Sequence, residues 1–240
     1  MKLLVPVLVL IATFLFSSCR TIRKPVIPDV PTALRATDLV LINEGIKSSP
    51  NSLAVFHQEL ASVPVDPLRS GVIVDLDRQR AYVFSANQLV AATRIASGKR
   101  NFRTSTGDFV IGQKNPRHAS NLYGKLKNTE TGENLPDEID TRRTSVPEGM
   151  VFLGAPMPYF MRFHTLDGKA SAIGFHQGYV PSRPASHGCI RLPSGAAKSL
   201  YTLVPSGTPV FIYGDQYGTP SRPLAEIQEA PEPERKKGKR

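Results

Sequence analysis

The sequence predicts a mainly β domain, a sandwich or barrel with one helix after a cysteine-bearing segment. Three observations lead there. Short β-branched runs recur from Gly71 onward, a helical apolar stripe appears clearly once and late, and the chain has 21 Pro and no Trp. That composition suits strands, turns and linkers better than a helical bundle. The runs GVIVDL (71–76), RAYVFS (80–85) and QLVAATRIAS (88–97) are separated by Asp77-Arg78-Gln79 and Ala86-Asn87, the pattern of a β-meander. GDFVIGQK (107–114) is a further strand. Residues 115–149 are polar and irregular and read as a long loop or an insertion with short elements. MVFLGAP (150–156), SAIGFH (171–176) and TPVFIYG (208–214) supply three more strands. Between the last two lies the helix, with Ser194 as its cap and Ala197, Leu200, Tyr201 and Val204 as its apolar stripe.

The segments outside this domain, residues 67–214, are of other kinds. Lys2 precedes an uncharged run from Leu3 to Phe16, then Phe16-Ser17-Ser18-Cys19. A run this short followed by small residues reads as a secretory signal and not as a spanning helix. Its ending resembles a bacterial lipobox, in which Cys19 is lipidated and becomes the first residue of an anchored protein. An ordinary signal cleaved elsewhere, or an uncleaved anchor, stays open as the alternative. Residues 20–66 read as a tether with short helical segments: 20–37 hold three prolines, and Ser52 is placed to cap LAVFHQELAS, where Leu53, Phe56 and Leu60 share a face. His57 on that segment reads as a surface or packing residue. Residues 215–240 are polar and close on KKGKR, and they read as a disordered tail.

The formal net charge is +10, and residues 67–214 carry 18 basic against 10 acidic side chains. Outside the cytoplasm nucleic acid is not the expected partner, and the excess favours an anionic polymer, such as cell-wall peptide stems, or acidic lipid headgroups. Plain solubility charge explains the same excess.

The chemistry concentrates in PASHGCIRL (184–192). If Cys19 carries lipid, Cys189 is the one thiol of the exported domain, and a lone thiol in an oxidising compartment is a candidate reactive group. A thiol attacks well only as thiolate, so it needs a base beside it. His187 lies two residues away, on the same face if the chain is extended, and His176 ends the preceding strand. Gly188 gives the backbone freedom for a sharp turn. Arg191 has the geometry to hold a substrate carboxylate. Three readings remain on local chemistry: a cysteine nucleophile with histidine help, a zinc site on His176, His187 and Cys189, and a buried structural cysteine.

HQGYVPSRPASHGCIRLP (176–193) closely resembles the active-site motif of the L,D-transpeptidases with a YkuD-type catalytic domain, a histidine followed by Ser-His-Gly-Cys and an Arg two residues on. VIVDLDRQRAYVF resembles the family's opening strands, and ASGKRNFRTSTGDFVIG its Gly-Lys…Thr-Pro-Thr-Gly segment, with Ser105 where proline is usual. HASNLYGK and MPYFMRF resemble a bacterial subgroup.

The resemblance implies a YkuD-like fold and a thioester mechanism needing no cofactor and no metal. Cys189 attacks a peptidoglycan tetrapeptide stem at its third residue, D-Ala leaves, and an amine on another stem, or water, resolves the thioester. His176 is the general base, oriented by the carbonyl just after it, and His187 positions or polarises the thiol. Gly188 and Cys189 N–H groups form the oxyanion hole. Ser186 and Arg191 shape the site or bind substrate. Tyr159 and Met157 rim the groove or simply pack, His118, Asn121 and Tyr123 lie on a loop near the cleft, and His164 is exposed. Two departures stand out: Gln177 follows His176, and only nine residues separate His176 from Ser186. The implied location is the bacterial envelope, lipid-anchored and periplasm-facing, with Arg20 after Cys19 favouring the outer membrane.

Overall fold

The computed structural model describes residues 36–56, 58, 70–86, 88–181, 183–215 and 217. The lipobox with Cys19, most of the tether, His57 and the tail beyond Tyr217 therefore lie outside the described residues. The architecture is mainly β, with 52% of the described residues in strands and 14% helical. In chain order the elements are α1 (Ala36–Ser48), β1 (Ala54–Val55), β2 (Ser70–Asp75), β3 (Arg80–Ser85), β4 (Gln88–Arg94), β5 (Gly107–Asn128), β6 (Asn134–Asp140), β7 (Met150–Thr165), β8 (Ala170–Gln177), β9 (Ile190–Leu192), α2 (Ser194–Leu203) and β10 (Pro209–Tyr213), with a 3-10 turn at Arg100–Phe102.

The strands form one sheet in the order β1-β4-β3-β2-β10-β5-β7-β8-β9, with β6 added to β5. Pairing is antiparallel except for β2–β10 and β8–β9. Beyond β4 the chain returns to the far edge. Ala96 N–H donates to Arg191 O at 3.0 Å, Arg191 N–H donates to Ala96 O at 2.9 Å, and Gly98 bridges Ser186. The sheet thus curls until its two ends meet, which leaves β9 held on both sides.

The central strand β2 is buried along its whole length because both its faces are covered. Val72 and Val74 join the main core with Phe163, Phe175, Ile190 and Leu200, while Ile73 faces a second cluster with Ile42, Ile46, Tyr82, Phe84 and Phe211. Helix α2 closes the main core through Ala196, Ala197, Leu200 and Leu203. Pro193, not Ser194, occupies its N-cap, with no side-chain cap. A proline-fixed backbone enters the helix there without a hydroxyl. At the other end, Lys114 of β5 donates to Tyr201 O and to Val204 O at 2.8 Å, so a cation satisfies the last carbonyls.

Other expectations are corrected. The helix placed on 53–62 gives way at its start to β1, because Ala54 pairs with Ala92 on the sheet edge. Gln58 is helical, residues 59–62 lie outside the described residues, and a further helix forms upstream, where Ile42 and Ile46, one turn apart, both fit the second cluster. The irregular segment 115–149 is mostly strand: long β5 and β7 pair from Phe109–Thr165 to Asn128–Met150, and β6 lies on β5. This arm has solvent on both faces, so it lacks the alternation by which a half-buried strand is recognised. His164 is half-buried, its ring lying over Gly112. After β10, Tyr217 O–H donates to Gly98 O at 2.8 Å, so the chain is held past residue 214.

Packing of α1 is testable. Ile46→Ala should lower stability by about 2–4 kcal/mol in urea unfolding, the usual cost of truncating a buried isoleucine. An unchanged midpoint would mean that α1 is not part of the folded unit.

Candidate active site

The β8–β9 register builds the site. Phe175 pairs with Ile190 and His176 with Arg191. Phe175, Ile190 and Leu192 face the core, so by strand alternation His176 and Arg191 share the opposite face. One step earlier, Gly174 and Cys189 fall on that face too. β7 continues it with Arg162, which pairs with Gly174.

The thiol is half-buried and donates weakly to Ala172 O at 3.8 Å. Burial pushes the Cys189 thiol above its ordinary range, while the Gly174 amide, Arg162 and Arg191 pull it back in part. His176 is 7% exposed. Its Nδ1 lies 2.7 Å from Gln177 O. A carbonyl only accepts, so Nδ1 carries the hydrogen and Nε2 keeps its lone pair. Burial lowers the imidazole to about 4; the Gln177 carbonyl opposes this, and the charges of Arg191 and His118 add to it. At neutral pH the resting site holds a neutral thiol and a neutral imidazole.

The turn before Cys189 is fixed from beneath. Gly188 has φ +119, a conformation that favours glycine. Ser186 is 1% exposed. Its Oγ accepts from Gly188 N–H at 3.0 Å and donates to Cys189 O. Thr104 Oγ1 donates to Gly188 O at 2.7 Å and accepts from Gly98 N–H at 2.9 Å. Gln79 grips Ser97 through its side-chain amide, donating to Oγ at 2.8 Å and accepting from N–H at 3.0 Å. Ser97 O in turn accepts from Ala185 and Ser186 N–H, each at 2.9 Å.

Above the turn, His187 is held by the arm. Its ring stacks on Tyr123 at 4.3 Å and meets Phe102 edge-on at 4.7 Å. Nε2 lies 3.4 Å from Glu138 Oε1 on β6. Burial is the main cause that lowers its pKa; Lys99 and Arg191 add to this, while Glu138 and Asp140 oppose it.

The structure brings together Cys189, His176, His187 and Arg191. The Arg191 stem lies close over Gly178, where a Cβ would stand 3.0 Å from Cγ and Cδ. Ser186 is buried and engaged by its own loop, where it shapes the turn. Tyr159 packs edge-on to Tyr201 of α2 at 5.7 Å and, like Cys189, against the main core. The Gly188 N–H, expected in the oxyanion hole, is engaged by Ser186, which leaves the Cys189 N–H as the donor on offer. His118 stacks on Phe160 at 4.3 Å, with its partner Met157 across the β5–β7 pairing. Asn121 is exposed. Among the described residues no group of three or more His, Cys, Asp or Glu could hold a metal ion.

Three contributors escaped the sequence reading. Arg162 lies in a strand pattern where a lone arginine reads as solvent-facing. Thr104 was visible only through the segment TSTG. Glu138 sits on the arm taken for a loop.

The YkuD family model, described as L,D-transpeptidase catalytic domain, matches residues 69–212. The chain belongs to this family. Solved structures are similar to part of this chain. An L,D-transpeptidase from Enterococcus faecium is 24% identical over 61% of this chain and 51% of its own, with a TM-score of 0.44. One from Stackebrandtia nassauensis is 22% identical over 65% and 61%, with a TM-score of 0.43. One from Mycobacterium smegmatis is 20% identical over 61% and 59%, with a TM-score of 0.44. The match thus spans between half and three fifths of those chains. No curated protein matches this chain.

The Thr104 bridge has a measurable consequence. Thr104→Val leaves Gly98 N–H and Gly188 O unpaired beneath the turn, which should cost about 2 kcal/mol or more in urea unfolding. It should also slow thiol acylation about tenfold or more as the nucleophile loses its geometry. Acylation at the unmodified rate would show that Thr104 does not hold the turn.

Proposed function

We propose that the protein is an L,D-transpeptidase acting on peptidoglycan stem peptides through a thioester on Cys189. The observation that supports this most is the β8–β9 register, which sets Cys189 and a neutral His176 with an unprotonated Nε2 on one face. In the first half-reaction His176 Nε2 takes the thiol proton as sulfur attacks the carbonyl of the third stem residue. Neither group is charged beforehand, so the proton moves as the bond forms. The Cys189 N–H faces the developing oxyanion, and the C–N bond to D-Ala breaks as the proton passes from His176 to the leaving amine. Arg191 and Arg162 supply the positive field in which the anionic intermediate is stabilised. They also suit a carboxylate-bearing stem.

In the second half-reaction an acceptor amine attacks the thioester and forms a 3→3 crosslink or another amide. Water attacking the same thioester would make the protein an L,D-carboxypeptidase or an endopeptidase. The uncharged run before Cys19 supports a lipid anchor in the envelope membrane, with the domain facing the periplasm.

The test is to incubate the protein with a tetrapeptide muropeptide and identify products by mass spectrometry. The proposal expects crosslinked dimer, loss of D-Ala, and no product at all from Cys189→Ala. Tripeptide monomer alone would assign a hydrolase, and product from Cys189→Ala would remove the nucleophile assignment.

A further inference from the structure

Strand β6 differs in charge from the sheet face, although its ladder partner β5 places Lys125 opposite Glu138. Strand β6, NLPDEID, carries Asp137, Glu138 and Asp140 and no basic residue. The surface below it carries Arg162 and Arg191, with Lys99 beside His187. A stem peptide fits this division. Its carboxylates suit the basic face, whereas the acceptor's free amine arrives as an ammonium and suits the acidic one.

One carboxylate of β6 reaches the catalytic turn. Glu138 Oε1 lies 3.4 Å from His187 Nε2, with the Glu138 side chain 45% exposed. Asp140 is turned to Arg142, which it accepts from at 2.9 and 2.7 Å. The His187 ring cannot turn freely, because Tyr123 and Phe102 pack two of its sides. His187 is two residues from the sulfur, and the thiol's base is His176, so His187 has no proton to take in the first half-reaction.

We infer that Glu138 is a positioning residue for the second half-reaction: acting through His187, it draws a cationic amine to the thioester on Cys189 in preference to water. This rests on the acyl-enzyme reading above. A carboxylate 3.4 Å from Nε2 favours the neutral His187 tautomer with its hydrogen on Nε2 and a lone pair on Nδ1. Nδ1 takes one proton from the acceptor ammonium, and Glu138 balances the imidazolium so formed. The free amine attacks the thioester carbonyl. A C–N bond forms, the C–S bond breaks, and sulfur leaves with the electron pair. The thiolate takes the second amine proton, and His187 returns its own to solvent. Water carries no charge for Glu138 to attract.

The experiment compares two nucleophiles on acyl-enzyme made from a tetrapeptide muropeptide: a tripeptide stem with a free side-chain amine, and hydroxylamine, which is neutral at pH 7. In Glu138→Gln the ratio of amide product to hydrolysis with the tripeptide amine should fall about three- to fivefold, on the scale of one exposed charge pair. The ratio with hydroxylamine should change less than about twofold, and Glu138→Asp should restore most of the loss with the amine. Equal changes for both nucleophiles, no change for either, or a wild-type protein that acylates yet only hydrolyses would each overturn the inference. Absence of any acyl-enzyme in the wild type, read by intact mass, would instead overturn the acyl-enzyme reading on which it rests.

Discussion

Everything at the site depends on the parallel pairing of β8 with β9 and on the bridge that locks β9 from its other side. Three residues of β9 would be a weak edge by themselves. The two hydrogen bonds between Ala96 and Arg191 turn that edge into an interior strand. One face of the pair is then committed to the core through Phe175, Ile190 and Leu192. The other face has no choice but to present His176, Arg191 and, one step back, Cys189. A slip of one residue would bury the histidine's position in the core and expose Phe175, so the hydrophobic pattern fixes the catalytic geometry.

The polar layer around the turn serves the same end. Gln79, Ser97, Thr104 and Ser186 are all buried: Gln79 holds Ser97, Ser97 O accepts from Ala185 and Ser186 across the closure, Thr104 pairs Gly98 with Gly188 across it, and Ser186 pairs groups of its own turn. Buried polar groups are costly unless paired. Here the pairing runs from the β2–β3 turn to the loop that carries Cys189, so the loop is shaped by buried groups beneath it.

Much of this was legible in the residues. β2, β3, β4, β8 and β10 follow from β-branched runs, and α2 from Ala197, Leu200 and Val204. The motif around Cys189 pointed by resemblance to the family that the match over residues 69–212 shows. What stayed hidden has physical causes. The arm's strands are wet on both faces, so NLPDEID shows no alternation. The edge strand β1 overrode a helical pattern because Ala54 found a ladder partner in Ala92. Tyr159 reads in sequence as a groove or packing residue, and only the fold shows its φ of +56 and its contact with Tyr201. Thr104 and Glu138 are ordinary polar residues in sequence, and only the closure of the sheet and the reach of the arm bring them to Cys189.

The central claim is that the resting site is a neutral thiol beside a neutral imidazole, both held uncharged mainly by burial. Alkylation of Cys189 by iodoacetamide as a function of pH, read by intact mass, tests this most directly, because only thiolate reacts. The account predicts a rate that stays low through neutral pH and rises only above the ordinary thiol range. A rate already at its plateau below pH 7 would reveal a preformed thiolate–imidazolium pair and contradict it.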